Sequence, residues 1–446
     1  MLNHLQITEK QLNAWSREYQ SSRERQLSTM ALSRSDIQDI AYVCAGEDQM
    51  RHKFSLEIPT LPVTNQKHSG RCWLFAAANI LRERIAKDLN LENFELSQSY
   101  LAFWDKFERC NYFLNAMLDL ADRPTDDRTV SFLLQTGVHD GGQWDMFANI
   151  VRKYGVIPKD VYDETWQSEN TRGMNRILNR GLKVAAAKLR RLVNDGVDET
   201  LVLKRKNELL GEIYGFLCCC YGEPPRQFDF EFVDKEKQYH IDRGLTPIAF
   251  AQKYALPVLD ETVSIIHAPT EDKPYHETYT IRYLGNVEGG RPVKHLNLTM
   301  AEFKAAVIAQ MRAGKPVWFG SDVGHYGNRD KGIWDDGCFN DELLSGLDLH
   351  MSKADMLDYG LAAMNHAMVL TGVNLDENGL PTRWKIENSW GDEHGKKGYY
   401  ICSDSWFEQY VFQAAVEREY LGSQAADADK EQHILDPWDP MGTLAD

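Results

Sequence analysis

The chain is poor in the residues that would place it in several large classes. Its 446 residues include only eight cysteines, too few for a disulfide scaffold, and no C-x-x-C pair that would suggest zinc or dithiol redox chemistry. Positive charge is not in excess: 50 Lys plus Arg stand against 66 Asp plus Glu, a net of −16. A field of that sign repels nucleic acid and anionic membranes, so neither is expected as a partner. No stretch approaches the ~18 apolar residues of a membrane span. The opening MLNHLQITEKQLNAWSREYQ has no apolar run of the signal-peptide kind. Internal repeats and low-complexity tracts are missing too. What is present, 43% hydrophobic and 26% charged residues, is a globular composition with room for a sizeable core. The expectation is a cytoplasmic protein with mostly free thiols and two or three domains, or one large elaborated one.

Residues 1–60 read as an N-terminal arm of polar helical pieces followed by an extended segment, where Pro59 and Pro62 stop any helix. Residues 61–160 read as a helical lobe. From Cys72 the run CWLFAAANILRERIAKDL places apolar residues at 74, 77, 78, 81, 85 and 89, which is helical spacing. Residues 161–245 read as a helical insertion with a stripe of Met174, Ile177, Leu178, Leu182, Ala185, Leu189 and Leu192. Between Arg172 and Lys206 ten Lys/Arg face three Asp/Glu, either a solvated helix face or a surface for an acidic partner. Residues 246–421 change to short strands and turns: TVSIIHA, ETYTIRYLGNV, PVWFGSDV, HAMVLTGV, RWKIENSW and GYYICS. Residues 422–446 form a polar arm that ends in DPWDPMGTLAD. Trp438, Met441 and Leu444 in such a tail imply that it docks. For the consecutive Cys218, Cys219 and Cys220 buried packing is the default.

Three separated pieces carry chemistry. The first, Gln66-Lys67-His68-Ser69-Gly70-Arg71-Cys72-Trp73, puts Cys72 at a helix N-terminus, where the helix dipole favours a thiolate. The second, Asn365-His366-Ala367-Met368-Val369-Leu370, puts His366 at the mouth of a buried strand. The third, Lys385-Ile386-Glu387-Asn388-Ser389-Trp390-Gly391, ends a strand in Asn388. A cysteine nucleophile needs an imidazole to hold the ion pair and protonate the leaving amine. The imidazole needs a third group to fix its tautomer, and an Asn carbonyl does this without adding charge. Gln66, with the Cys72 backbone N–H, is a candidate oxyanion hole, and Trp390 a cover over the Asn–His contact. No metal or organic cofactor is required.

In the order Gln…Cys…His…Asn the chain resembles the papain-like cysteine peptidases. It departs from their usual local pattern in having Arg71 before the nucleophile, and in placing His366 294 residues after Cys72, against roughly 130–150 in the papain group. Those departures match the bleomycin hydrolase / aminopeptidase C family, which NQKHSGRCWLFA, DGGQWDM, SENTRGMN, YTIRYLGN, PVWFGSDV, MNHAMVLTGV, ENSWG and the terminal PWDPMG resemble over the full length. The resemblance implies a papain-like α+β fold, with a helical lobe, a β-rich lobe, a large helical insertion and a C-terminal arm. It implies Cys72 as nucleophile, His366 as base, Asn388 as orienting residue and Gln66 as oxyanion donor. Gly141 and Gly142 would align substrate, and Thr443, Leu444 and Ala445 would block the non-primed side, so that only N-terminal residues are removed. The implied partners are peptides with a free N-terminus and five further copies of the chain in a homohexamer. Asp446 would be a candidate for removal by self-cleavage. A papain-like endopeptidase and a nucleic-acid-binding scaffold are the alternatives.

Overall fold

The computed structural model describes residues 6–444. Ala445 and Asp446 lie outside the described residues. Helices dominate as far as residue 221 and a single large sheet dominates from residue 262. The helices that build the site are α1 (Cys72–Asp88), α2 (Gln98–Asp119), α3 (Arg128–Thr136), α4 (Trp144–Tyr154), α5 (Arg172–Asn194) and α6 (Glu199–Tyr221). Helix α1 is nearly all core: Leu74, Ala77, Ala78, Leu81 and Ile85 are each at most 1% exposed. On α5, Met174, Leu178, Leu182, Ala185 and Leu189 are buried, whereas Ile177, counted in the same stripe from sequence, is 55% exposed. It falls at the margin of the face that packs on α2 and α6. The stretch expected to be helical to residue 245 instead closes with an antiparallel hairpin, Phe228–Val233 with Tyr239–Leu245.

Among the described residues twelve strands form the large sheet. Nine of them are β1 (Thr262–Ile266), β2 (Thr278–Ile281), β3 (His295–Asn297), β4 (Val317–Ser321), β5 (His366–Leu375), β6 (Pro381–Glu387), β7 (Tyr399–Ser403), β8 (Val411–Glu417) and β9 (Gln432–Leu435). The order across the sheet is β9-β2-β3-β1-β8-β4-β5-β6-β7, continued by Ile333–Trp334 and Gly327–Asn328, while Leu56–Glu57 pairs with β5. Helix α1 packs on β5, so the helix that starts at Cys72 and the strand that starts at His366 share one interior. No helix among the described residues is long and apolar enough to cross a membrane.

Burial also sets an acid sensitivity. Burial pushes His295 down to about 3, His267 to about 4 and His139 to about 3. Each is therefore neutral in the fold at pH values where the unfolded chain, with an ordinary value near 6.5, takes up a proton. The unfolded state binds more protons below that pH, so stability is full above it and falls as pH drops towards 4. At pH 5.5 the three together should cost about 4 kcal/mol relative to pH 7.5. Thermal unfolding across that range should show the drop, and His295→Gln should make it shallower. An unchanged slope in that variant would remove His295 from the account.

Candidate active site

Cys72 is the first residue of α1 and is fully buried. Its N-cap, Arg71, makes no side-chain capping bond, so the first-turn N–H groups are not claimed by a cap. The Arg71 side chain is used elsewhere: it forms a two-point ion pair with Glu164 (2.9 and 3.1 Å) and donates to Ser69 Oγ (2.9 Å). That half-buried pair gives the arginine a partner at a position where papain-like chains usually carry a small residue. Asp140 holds the same loop from the other side. It accepts from the Gly70 N–H (3.1 Å), from Asn175 Nδ2 (2.9 Å) and from the Thr171 hydroxyl, and pairs with Lys106 (2.5 Å). Burial alone would raise its pKa, but Lys106 and these donors hold the carboxylate well below its usual range. The SENTRGMN motif thus serves the nucleophile loop through Thr171 and Asn175.

The structure brings the three separated pieces together. The Ala367 N–H donates to Cys72 Sγ at 3.5 Å, so the first turn of α1 meets the start of β5 at the residue next to His366. His366 Nε2 donates to Asn388 Oδ1 at 2.9 Å. Because a carbonyl oxygen only accepts, Nε2 carries the proton and Nδ1 is left as the basic nitrogen. Asn388 Oδ1 also accepts from the Ser389 N–H (2.8 Å), which fixes the amide's orientation. Burial pushes His366 down to about 4, opposed by the Asn388 bond. Trp390 lies over the imidazole with ring centroids 4.7 Å apart, and Arg329 covers its outer face at 5.0 Å.

Gln66 is 5% exposed and is held at three points. Its backbone N–H donates to Ser389 O (2.8 Å), its Oε1 accepts from Ser389 Oγ (2.7 Å) and its Nε2 donates to Ser69 O (2.6 Å). One amide hydrogen is thereby used, leaving the other for a ligand. Gly141 O accepts from Arg109. Gly142 is packed so closely on Trp73 that a Cβ there would lie 2.4 Å from the indole, so glycine is required by close approach rather than by a turn.

Sequence reasoning missed Gln143, which follows the glycine pair. It is fully buried, and its Nε2 donates to Met441 O (3.1 Å) and to Thr443 O (2.9 Å). The C-terminal arm is therefore seated beside the glycine pair. Two further contacts secure it: Asp439 pairs with buried Lys273 at 2.9 Å, and Trp438 lies under the Arg128 guanidinium at 3.7 Å. Thr443 and Leu444 line a cavity of about 560 Å³ together with Val138, His139, Met364 and Asn365. Ala445, expected in the same position, is outside the described residues. The only signal for Gln143 was its place in DGGQW. Among the described residues no cluster of His, Cys, Asp and Glu has the geometry of a metal site.

The comparisons agree with one another. The model of the Peptidase C1-like family matches residues 6–442. The chain is 49% identical over 396 residues to an aminopeptidase C of Lactobacillus delbrueckii subsp. lactis, covering 88% of each. It is 41% identical over 421 residues to human (Homo sapiens) bleomycin hydrolase, covering 92% of each. The crystal structure of pepw from Lactobacillus rhamnosis hn001 superposes with a TM-score of 0.96 at 45% identity, covering 99% of both chains. Such matches across almost the whole length establish a papain-like fold, and the chain belongs to the peptidase C1-like family, on the branch of cysteine aminopeptidases that includes aminopeptidase C and bleomycin hydrolase.

Proposed function

We propose that the protein hydrolyses N-terminal residues from peptides with broad specificity, through a Cys72 thiolate, His366, Asn388 and a covalent acyl-enzyme. The observation that supports this reading is that the start of β5 makes both contacts: His366 Nε2 donates to Asn388 Oδ1, and the N–H of the next residue, Ala367, donates to the Cys72 sulfur. A buried imidazole pushed down to about 4 does not hold a proton on its own at neutral pH. It becomes imidazolium only beside a negative partner, so the thiolate and the imidazolium form as one pair and titrate as one. The N-terminus of α1 stabilises the negative end of that pair.

In the acylation step Cys72 Sγ bonds to the carbonyl carbon of the first peptide unit, and the carbonyl electron pair moves onto oxygen. The free amide hydrogen of Gln66 and the Cys72 N–H hold that oxyanion. As the C–N bond breaks, His366 gives its proton to the leaving amine. Water then attacks the thioester while His366 removes its proton. Collapse expels the thiolate and releases the N-terminal residue as its acid. Gly141 and Gly142 present backbone to the substrate, and Trp390 keeps water off the His366–Asn388 bond.

The arm explains the restriction to N-termini. Thr443 and Leu444 would fill the non-primed side and leave room for one substrate residue. Aminoacyl amides with a free α-ammonium group should be hydrolysed, and their N-acetylated forms should be spared by at least about 100-fold, the worth of a charge-assisted contact plus a steric block. Equal turnover of both forms would make the protein an endopeptidase. We carry a cytoplasmic homohexamer as the matching assembly, to be checked by light scattering.

A further inference from the structure

Two polar side chains of α1 lie deep in the protein, Asn79 at 3% and Arg82 at 2% exposure. Asn79 is two helical turns from Cys72 on the same face, and Arg82 is its i+3 neighbour. Both reach one carboxylate oxygen: Asn79 Nδ2 donates to Glu387 Oε1 at 2.8 Å and Arg82 Nη2 at 2.9 Å. Glu387 is itself 2% exposed and closes β6, so its next residue is Asn388. The same cluster holds the segment that leads to Gln66. Asn79 Nδ2 also donates to Thr64 Oγ1 (3.1 Å), Arg82 Nη2 to Leu61 O (3.3 Å), and Glu83 Oε1 accepts from the Leu61 N–H (2.9 Å).

The nucleophile helix, the strand of the orienting Asn and the approach to the oxyanion donor therefore meet at one buried ion pair. Stability gives little reason for it, since an apolar cluster of equal volume commonly serves as well or better than a buried ion pair. Directed hydrogen bonds differ from apolar packing in that they fix donor and acceptor to a narrow range of distance and angle. We infer that Asn79, Arg82 and Glu387 are positioning residues, which hold α1 against the β6 terminus so that Cys72, His366 and Asn388 stand in productive register. The inference rests on the Cys72–His366–Asn388 reading above.

The test uses the whole enzyme, with active sites counted by a thiol-reactive epoxide. It measures kcat per counted site and the pH dependence of Cys72 alkylation by iodoacetamide. Glu387→Ala is expected to lower kcat per site roughly 10- to 100-fold, the scale of an ångström-sized misplacement, with KM little changed. The acid limb of the alkylation profile should move towards neutral pH. The exchange Asn79→Asp with Glu387→Gln moves the carboxylate to the helix and the amide to the strand while Arg82 keeps an anion beside it. It should recover most of the loss. A Glu387→Ala enzyme that loses thermal stability yet keeps its kcat per site and its alkylation profile overturns the inference, as does an exchange that recovers nothing. Where Glu387→Ala does not fold, Asn79→Ala, which leaves the ion pair in place, decides, and a kcat per site equal to the parent's overturns the role. Activity retained in Cys72→Ala would instead bring down the catalytic reading itself.

Discussion

Cys72→Ala should lower kcat by roughly 10⁴- to 10⁶-fold, because it removes the atom that forms the covalent bond. The thiol is fully buried at the first turn of α1, and alanine fills most of that space, so the variant should fold. Asn388→Ala should cost less, roughly 100-fold, since the imidazole loses its tether to Oδ1 while the nucleophile itself remains. Gln66→Ala should fall between, at roughly 100- to 1000-fold for one oxyanion donor. Steady-state rates on an aminoacyl amide order the three. A Cys72→Ala enzyme with most of its activity would show that the nucleophile lies elsewhere.

A chain ending at Gly442 should gain what the parent lacks, internal cleavage of N-acetylated peptides. Its turnover of free aminoacyl amides should fall roughly 10- to 100-fold, once Thr443 and Leu444 no longer help to position a substrate with one residue before the scissile bond. Gln143→Ala should give a weaker version of the same change, because its amide holds the arm through Met441 O and Thr443 O. Mass spectrometry of the fragments from one blocked and one free peptide distinguishes the outcomes. If the shortened enzyme still releases only N-terminal residues, the arm is not the gate.

Helix α1 was legible in the sequence because its buried positions recur at helical spacing, and the strands at β1, β4, β5, β6 and β7 were legible as apolar runs between turns. Strand β8, VFQAAVE, was not: it is wholly buried, so it has no alternation to read, and it follows the helix Asp404–Tyr410 with no turn residue to mark its start. The hairpin at 228–245 did carry its signal, Phe228, Phe230 and Phe232 at every second position, but inside a stretch whose earlier part is helical. The Cys72, His366 and Asn388 roles follow from chemistry that each residue type can perform, and so could be proposed before any geometry. Their supports could not. Gln143 meets Met441 across 298 residues, and Asn79 meets Glu387 across 308. Each is an ordinary polar residue on its own, and only its distant partner gives it a task.

The way the arm is tied down bears on how exo- and endo-cleavage are divided within such a molecule. Strand β9 joins the far edge of the sheet beside β2, and only about eight residues separate Leu435 from Thr443. The arm is thus a short leash on a fixed post. Letting it go would free the eleven residues after Leu435, a span of at most ~40 Å of extended chain, and disturb no element of the sheet. Changes confined to Trp438, Asp439 or their partners Arg128 and Lys273 should therefore shift cleavage from N-termini towards internal bonds while the bond-breaking groups stay untouched.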